Sequence, residues 1–181
     1  AGETVALNAT ERENLLTVLS KRIRPIIDNS QLILALDNSS SMQKTLAADV
    51  IEALDIQWQH EAGVAEQPLI SEIISRPTSA YLRSVKELSN GLITEAILVG
   101  GAGLNVAQSD VTTDYYQADE SAWSALQDKP SSDYYIGGIR YDESSRKFQV
   151  KVSWTITGTE GERRGILILG MDVEEALRHS H

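Results

Sequence analysis

The apolar positions of the chain change period near residue 92. Before it they recur every three or four residues, the mark of helices packed on one side. Thr10-Glu11-Arg12-Glu13 has the form of a capping box and leads into a stripe at Leu16, Leu19, Ile23, Ile26 and Ile27. Pro25 falls inside that stripe and predicts a kink or break. The apolar run Gln31 to Leu36 is either a strand or a buried helix, and periodicity does not choose. Asp49 opens a helix with Ile51, Leu54 and Trp58 on one face, stopped near Gly63. Pro68 suits the first turn of a short helix ending before Pro77. Thr78 and Ser79 open another, with Tyr81, Leu82, Val85 and Leu88 inward and Asn90-Gly91 closing it.

After residue 92 the period falls to two. Ile93 to Val99 and Leu104 to Ala107 read as a hairpin around Gly100-Gly101-Ala102-Gly103. Tyr134 to Tyr141, Phe148 to Thr157 and Gly165 to Val173 follow as strands joined by short turns, which makes the sheet antiparallel. The expected class is α+β: helices first, packed on one face of a roughly five-stranded sheet. No composition break asks for a linker, so 1–181 reads as one domain, mainly helical over 1–92 and sheet over 93–177.

Between the hairpin and the third strand lies 109–133, polar and acidic, with a short helix expected from about Asp119 to Gln127. It carries Tyr115, Tyr116 and Trp123, which a plain connector does not need. Folded back over the sheet, these rings make one wall of a pocket; alternatively they plug the end of a small core.

Charge and composition narrow the function. At 181 residues and 41% apolar, the chain is long enough to bury a core. A net charge of −10 without basic clusters excludes nucleic acid and anionic membrane surfaces as partners. No apolar run is long enough to span a bilayer. The start at Ala1-Gly2-Glu3 shows no signal peptide. Absence of cysteine removes thiol catalysis, disulfides and thiolate metal sites. His60 sits in a polar helix end and reads as solvated, while His179 and His181 belong to the tail, so serine–histidine catalysis has no base. The expectation is a protein that is not an enzyme and carries no cofactor.

Four patterns suggest site chemistry. Asp37, Ser39 and Ser41 match D-x-S-x-S, in which a carboxylate and hydroxyls hold a divalent cation, as in adhesion domains; the alternative is a polar inter-helix turn. The glycines at 100–103 lack the third glycine and the helix that dinucleotide binding requires. Asp110, Thr112 and Asp114 lack the glycine and glutamate of a calcium loop. Asp114 and Asp119 form a conceivable carboxylate pair but are more simply solvated or ligand-contacting.

Three segments carry a resemblance. Val50 to Trp58, the run Ala107-Gln108-Ser109-Asp110-Val111-Thr112-Thr113-Asp114-Tyr115-Tyr116-Gln117-Ala118-Asp119-Glu120 followed by Trp123, and Gly165 to Val173 resemble single-Cache, PAS-like sensor domains of bacteria. The resemblance runs from about Ser30 to Leu177. It implies a long N-terminal helix along one sheet face and a non-catalytic small-molecule sensor, periplasmic or extracellular. The ligand would lie on the opposite face, under the loop. Matching residues are Tyr115, Tyr116, Asp119 and Trp123 in the loop, Tyr134, Tyr135 and the Gly137 backbone in the third strand, and Asp172, where amino-acid-binding members hold the ligand amino group. The basic residue and Trp-Tyr pair those members use for a carboxylate are lacking. With six acids and one lysine between Ser109 and Asp133, an amine or amino-acid-like ligand is expected. The resemblance further implies a homodimer through the first helix and a signalling partner. Different in class are the adhesion module on Asp37, Ser39 and Ser41 and a structural domain with a vestigial pocket.

Overall fold

A computed structural model describes residues 4–143 and 145–178. The expected histidines at 179 and 181 lie outside the described residues, as does Ser144 of the turn before the fourth expected strand. The first helix, α1 (Ala9–Val18), is capped by Asn8 and not Thr10: Asn8 Oδ1 accepts the Glu11 N–H and Glu11 Oε2 accepts the Asn8 N–H, each at 2.9 Å. The helix continues as a π turn (Leu19–Ile23) and a 3-10 turn (Arg24–Ile26). Pro25 causes this break, since it has no N–H to donate and its ring crowds the preceding turn. The expected long N-terminal helix is therefore two pieces, and its apolar residues Leu15, Val18, Leu19 and Ile23 all point into the core.

The ambiguous run 31–36 is helical. It lies in α2 (Asn29–Lys44), where Leu32, Ala35, Leu36, Ser39 and Gln43 face inward. This corrects the adhesion reading. On a helix, positions two apart face different directions, so Ser39 is buried while Asp37 and Ser41 are exposed. Asp37 pairs with Arg164 at 3.2 Å. α3 (Ala48–Glu61), α4 (Pro68–Ile74) and α5 (Pro77–Leu88) fall where the pattern puts them. Leu88 differs: it is 63% exposed, at the last turn where the helix leaves the sheet. Asn90 and Gly91 take positive φ (52° and 87°) and end α5 as expected.

The sheet has six antiparallel strands: β1 (Ile93–Gly100), β2 (Asn105–Gln108), β3 (Tyr134–Ile136), β4 (Arg140–Asp142), β5 (Lys147–Thr157) and β6 (Arg163–Asp172). Their order is β2-β1-β6-β5-β3, with β4 also on β5. The expected third strand is two, because Gly137 and Gly138 interrupt it. Where Gly138 passes the N-terminal segment, a Cβ would stand 2.8 Å from that of Thr4, and Val5 bridges Ile139 there.

Alternation splits the sheet into two faces. Ala96, Leu98, Val152, Trp154, Leu167, Leu169 and Met171 face α1, α2, α5 and the C-terminal α7 (Val173–Arg178), forming the main core. Ile97, Val99, Ile166 and Ile168 face the other way, toward the 109–133 segment and its short helix α6 (Ser121–Ser124). The helices cover one face. That segment covers part of the other.

Candidate functional site

The 109–133 segment is pinned at four places. At its start the Ala96 N–H donates to Ser109 Oγ (2.8 Å), and Lys86 Nζ donates to both oxygens of Asp110 (2.8 and 3.0 Å). Next, Asp55 Oδ1 on α3 accepts the N–H groups of Tyr115 and Tyr116, both at 2.9 Å. The Tyr115 ring stacks on Trp58 at 5.2 Å, and Trp58 Nε1 donates to the Thr112 carbonyl. Gly103, at φ +84°, lets the loop close: a Cβ there would stand 2.5 Å from that of Ala118. Third, Ser153 Oγ on β5 donates to the Ala122 carbonyl. Last, Arg163 donates to the carbonyls of Leu126, Gln127 and Lys129.

Between these pins the segment stands off the sheet and leaves a cleft of about 930 Å³. Its floor is Thr94, Glu95 and Ile97 of β1 and Gln149 and Lys151 of β5; Tyr135, Gly137 and Gly138 form one wall and 110–114 the other. That is the size of small-molecule pockets, ~300–1,000 Å³. It opens on the sheet face opposite the helices, under the loop after β2.

Of the expected ligand-binding residues, Tyr135 and Gly137 line this cleft. The other expected residues are not brought together there. Tyr115 is buried against Trp58, and burial pushes its hydroxyl above the ordinary tyrosine value. Tyr116 packs beside it, against the α3–α4 cluster. These two rings plug a core, the alternative the sequence left open. Trp123 is half-buried on the Ile97–Ile168 cluster at the far end of the same face. Asp119 is exposed. Tyr134 points to the helical face, edge-on to Trp154 at 5.7 Å. Asp172, buried, accepts the Glu175 N–H at 3.2 Å at the start of α7 and pairs with Lys147 at 3.3 Å, the strand-end role.

The residues the sequence reading missed sit on the floor. Burial pushes the Glu95 carboxyl above its ordinary value; Lys151 pulls it back, and Asp110 and Asp142 add to the rise. Asp114 at the loop is also raised, by burial first and then by the charges of Asp55, Glu120 and Asp119. Two signals pointed here. Thr94-Glu95 places two polar residues in a row inside an apolar strand, which breaks alternation. Gly170 interrupts Leu169 and Met171 in β6, a mark of close approach by another chain segment.

No family model and no curated protein matches the sequence. Solved structures do resemble it. The sensory domain of the Campylobacter jejuni chemoreceptor Tlp3 shares 11% identity over 92% of this chain and 65% of its own, with a TM-score of 0.44. The V. cholerae histidine kinase DctB sensor domain shares 15% over 94% of this chain and 59% of its own, at 0.42. The ligand-binding domain of the Pseudomonas fluorescens chemoreceptor CtaA, in complex with L-alanine, shares 11% over 92% of this chain and 56% of its own, at 0.40. The chain thus spans 65% of the Tlp3 domain's length and less of the other two. Among the described residues no helix is long and apolar enough to cross a membrane.

Proposed function

We propose that the chain is a non-catalytic sensory domain of the single-Cache type, working outside the cytoplasm and reading a small molecule held between the 110–122 segment and the cleft face of the sheet. One observation carries this: the polar floor of the cleft, where the Glu95 carboxylate of β1 and the Lys151 ammonium of β5 flank Gly170 of the intervening β6 on one sheet face. Charged groups on a sheet floor cost desolvation unless something pairs them, and a ligand supplies that pairing. No histidine stands in the lining, which favours binding over acid–base turnover. Tyr135 and Gly137 keep the roles the resemblance gives them. The signal would pass as a change in the population of loop arrangements, through the ties of Asp110 to α5 and of Tyr115 to α3.

The test is a thermal-shift screen of the purified chain against amines, amino acids, short carboxylic acids, polyamines and nucleobases. A compound at 100 times its Kd adds about 2.7 kcal/mol of stability. A hit abolished by Lys151→Met and by Tyr135→Ala supports the proposal. A screen without hits, or hits indifferent to both substitutions, overturns it.

A further inference from the structure

The floor carries a charge pattern that narrows what the cleft can hold. In β1 the register slips between Ile93 and Glu95, so that two residues stand against one on β6. This is a bulge, and bulges re-aim side chains. It brings Thr94 and Glu95 both against Gly170: a Cβ on that glycine would lie 2.7 Å from Thr94 Oγ1 and 3.2 Å from Glu95 Cγ. Thr94 Oγ1 is buried with no hydrogen-bond partner. Among the described residues the Glu95 carboxylate also has no hydrogen bond or ion pair, and its interaction with Lys151 is through space only.

Gly170 pairs in turn with Lys151 on β5, whose carbonyl accepts the Gly137 N–H at 2.8 Å. One row across the sheet therefore reads Glu95, Gly170, Lys151, Gly137. It alternates carboxylate, bare floor, ammonium, bare floor. With strands ~4.8 Å apart, the two charged stems rise about 9.6 Å from each other, and the glycine between them fills nothing. The other ammonium nearby, Lys86, is held by Asp110. Asp142 accepts from Ser145 and Gln149.

Resting on the sensory reading above, we infer that the cleft takes a small zwitterion whose ammonium and acid groups sit on different carbons, the ammonium donating to Glu95 and Thr94 and the acid accepting from Lys151. Charge-assisted contacts of ~2.8 Å at each end leave about 4 Å between the ligand's own nitrogen and oxygen. That is the reach of a β- or γ-amino acid. An α-amino acid carries both charges on one carbon and is short for the span. A plain amine leaves Lys151 unpaired, and a plain carboxylate leaves Glu95 unpaired.

Calorimetric titration of the wild-type chain and of the E95Q and K151M variants with β-alanine, γ-aminobutyrate, L-alanine, n-propylamine and propionate tests this. The expected result is that β-alanine or γ-aminobutyrate binds at least about tenfold tighter than the other three. Each substitution should weaken that binding by roughly ten- to a hundredfold, the worth of one charged hydrogen bond. Residual n-propylamine binding should survive in K151M and vanish in E95Q, a selectivity that a general loss of folding cannot produce; thermal melts of both variants check that they are folded. L-alanine or a singly charged compound binding as tightly, or variants that bind like wild type, overturn the inference. If all five compounds fail while another compound from the broad screen binds, the zwitterion inference falls and the sensory reading stands. If nothing binds in either experiment, both fall.

Discussion

The 110–117 segment has two sides, and they differ in how their polar groups are treated. Toward α3 the anchoring groups are satisfied: Trp58 stacks and donates, and Asp55 accepts two backbone N–H groups. Nearby Glu61, buried, accepts from Gln57 and from the Ile70 N–H at the start of α4. Toward the sheet, Thr94 and Glu95 are enclosed without partners. The two glutamates make the contrast sharp. Burial raises a carboxyl at both, yet hydrogen bonds hold Glu61 below its ordinary value, while Glu95, lacking them, stays above. A satisfied buried acid is an anchor. An unsatisfied one beside a cleft is a place for something to bind.

Breaking the anchored side should have the largest effect. Trp58→Ala removes a fully buried ring, the Tyr115 stack and the tie to Thr112 together. A loss of about 3–5 kcal/mol is expected in urea unfolding, with ligand binding weakened as the wall loosens. A cost below about 1 kcal/mol would mean that the α3–loop contact is not the anchor described here.

That contact also shows what the sequence could and could not reveal. Period alone located α3, α5, β5 and β6, because their buried faces repeat within one element. It placed Trp58 on an inward face correctly. It could not say that Tyr115, far along the chain, turns toward Trp58 and away from the cleft, since a ring between two apolar surfaces can point to either. The loop was legible and its direction was not. Asp172 was ambiguous for a related reason: an acid at a strand end serves a helix cap and a ligand with the same chemistry, and the cap role shows only once the Glu175 N–H of α7 is seen beside it. The floor was hidden more deeply. Glu95 and Lys151 are ordinary strand polars until β6 brings both beside Gly170.

Next in size is Asp55→Ala. It leaves the Tyr115 and Tyr116 N–H groups without their acceptor, a cost of about 1–3 kcal/mol. Hydrogen exchange should then speed at those two amides specifically. Uniform acceleration throughout the chain would point to global loosening in place of a local pin.

On the open side, Gly170→Ala attacks the bulge. The new methyl meets Thr94 Oγ1 inside contact distance, so Thr94 and Glu95 must shift. Overpacking of this kind costs about 1–3 kcal/mol. A cost near the lower end with binding lost would separate floor geometry from stability. Full retention of binding would show that the bulge does not set the site.

The smallest effect, and the cleanest comparison, comes from neutralising each glutamate and varying pH. The Glu95 carboxyl is raised by folding above its ordinary value of 4.5, so between those values the folded chain binds more protons than the unfolded one. Stability then falls as pH rises through that window and stays lowered at neutral pH. Glu95→Gln removes the dependence and should leave the free protein as stable as wild type at neutral pH or more so, by about 0.5 kcal/mol. Glu61 runs the other way. Its carboxyl is lowered, so its contribution is present above 4.5 and lost as pH falls through the folded value; Glu61→Gln should destabilise at neutral pH and the deficit should close in acid. Urea midpoints from about pH 4 to 7 read both. A bound ammonium would supply Glu95 with the partner it lacks and lower its pKa again, so zwitterion affinity should rise with pH through the Glu95 window while the Glu61 variant binds unchanged. If both glutamates titrate in the same direction, the contrast between the anchored and the open side of the loop fails.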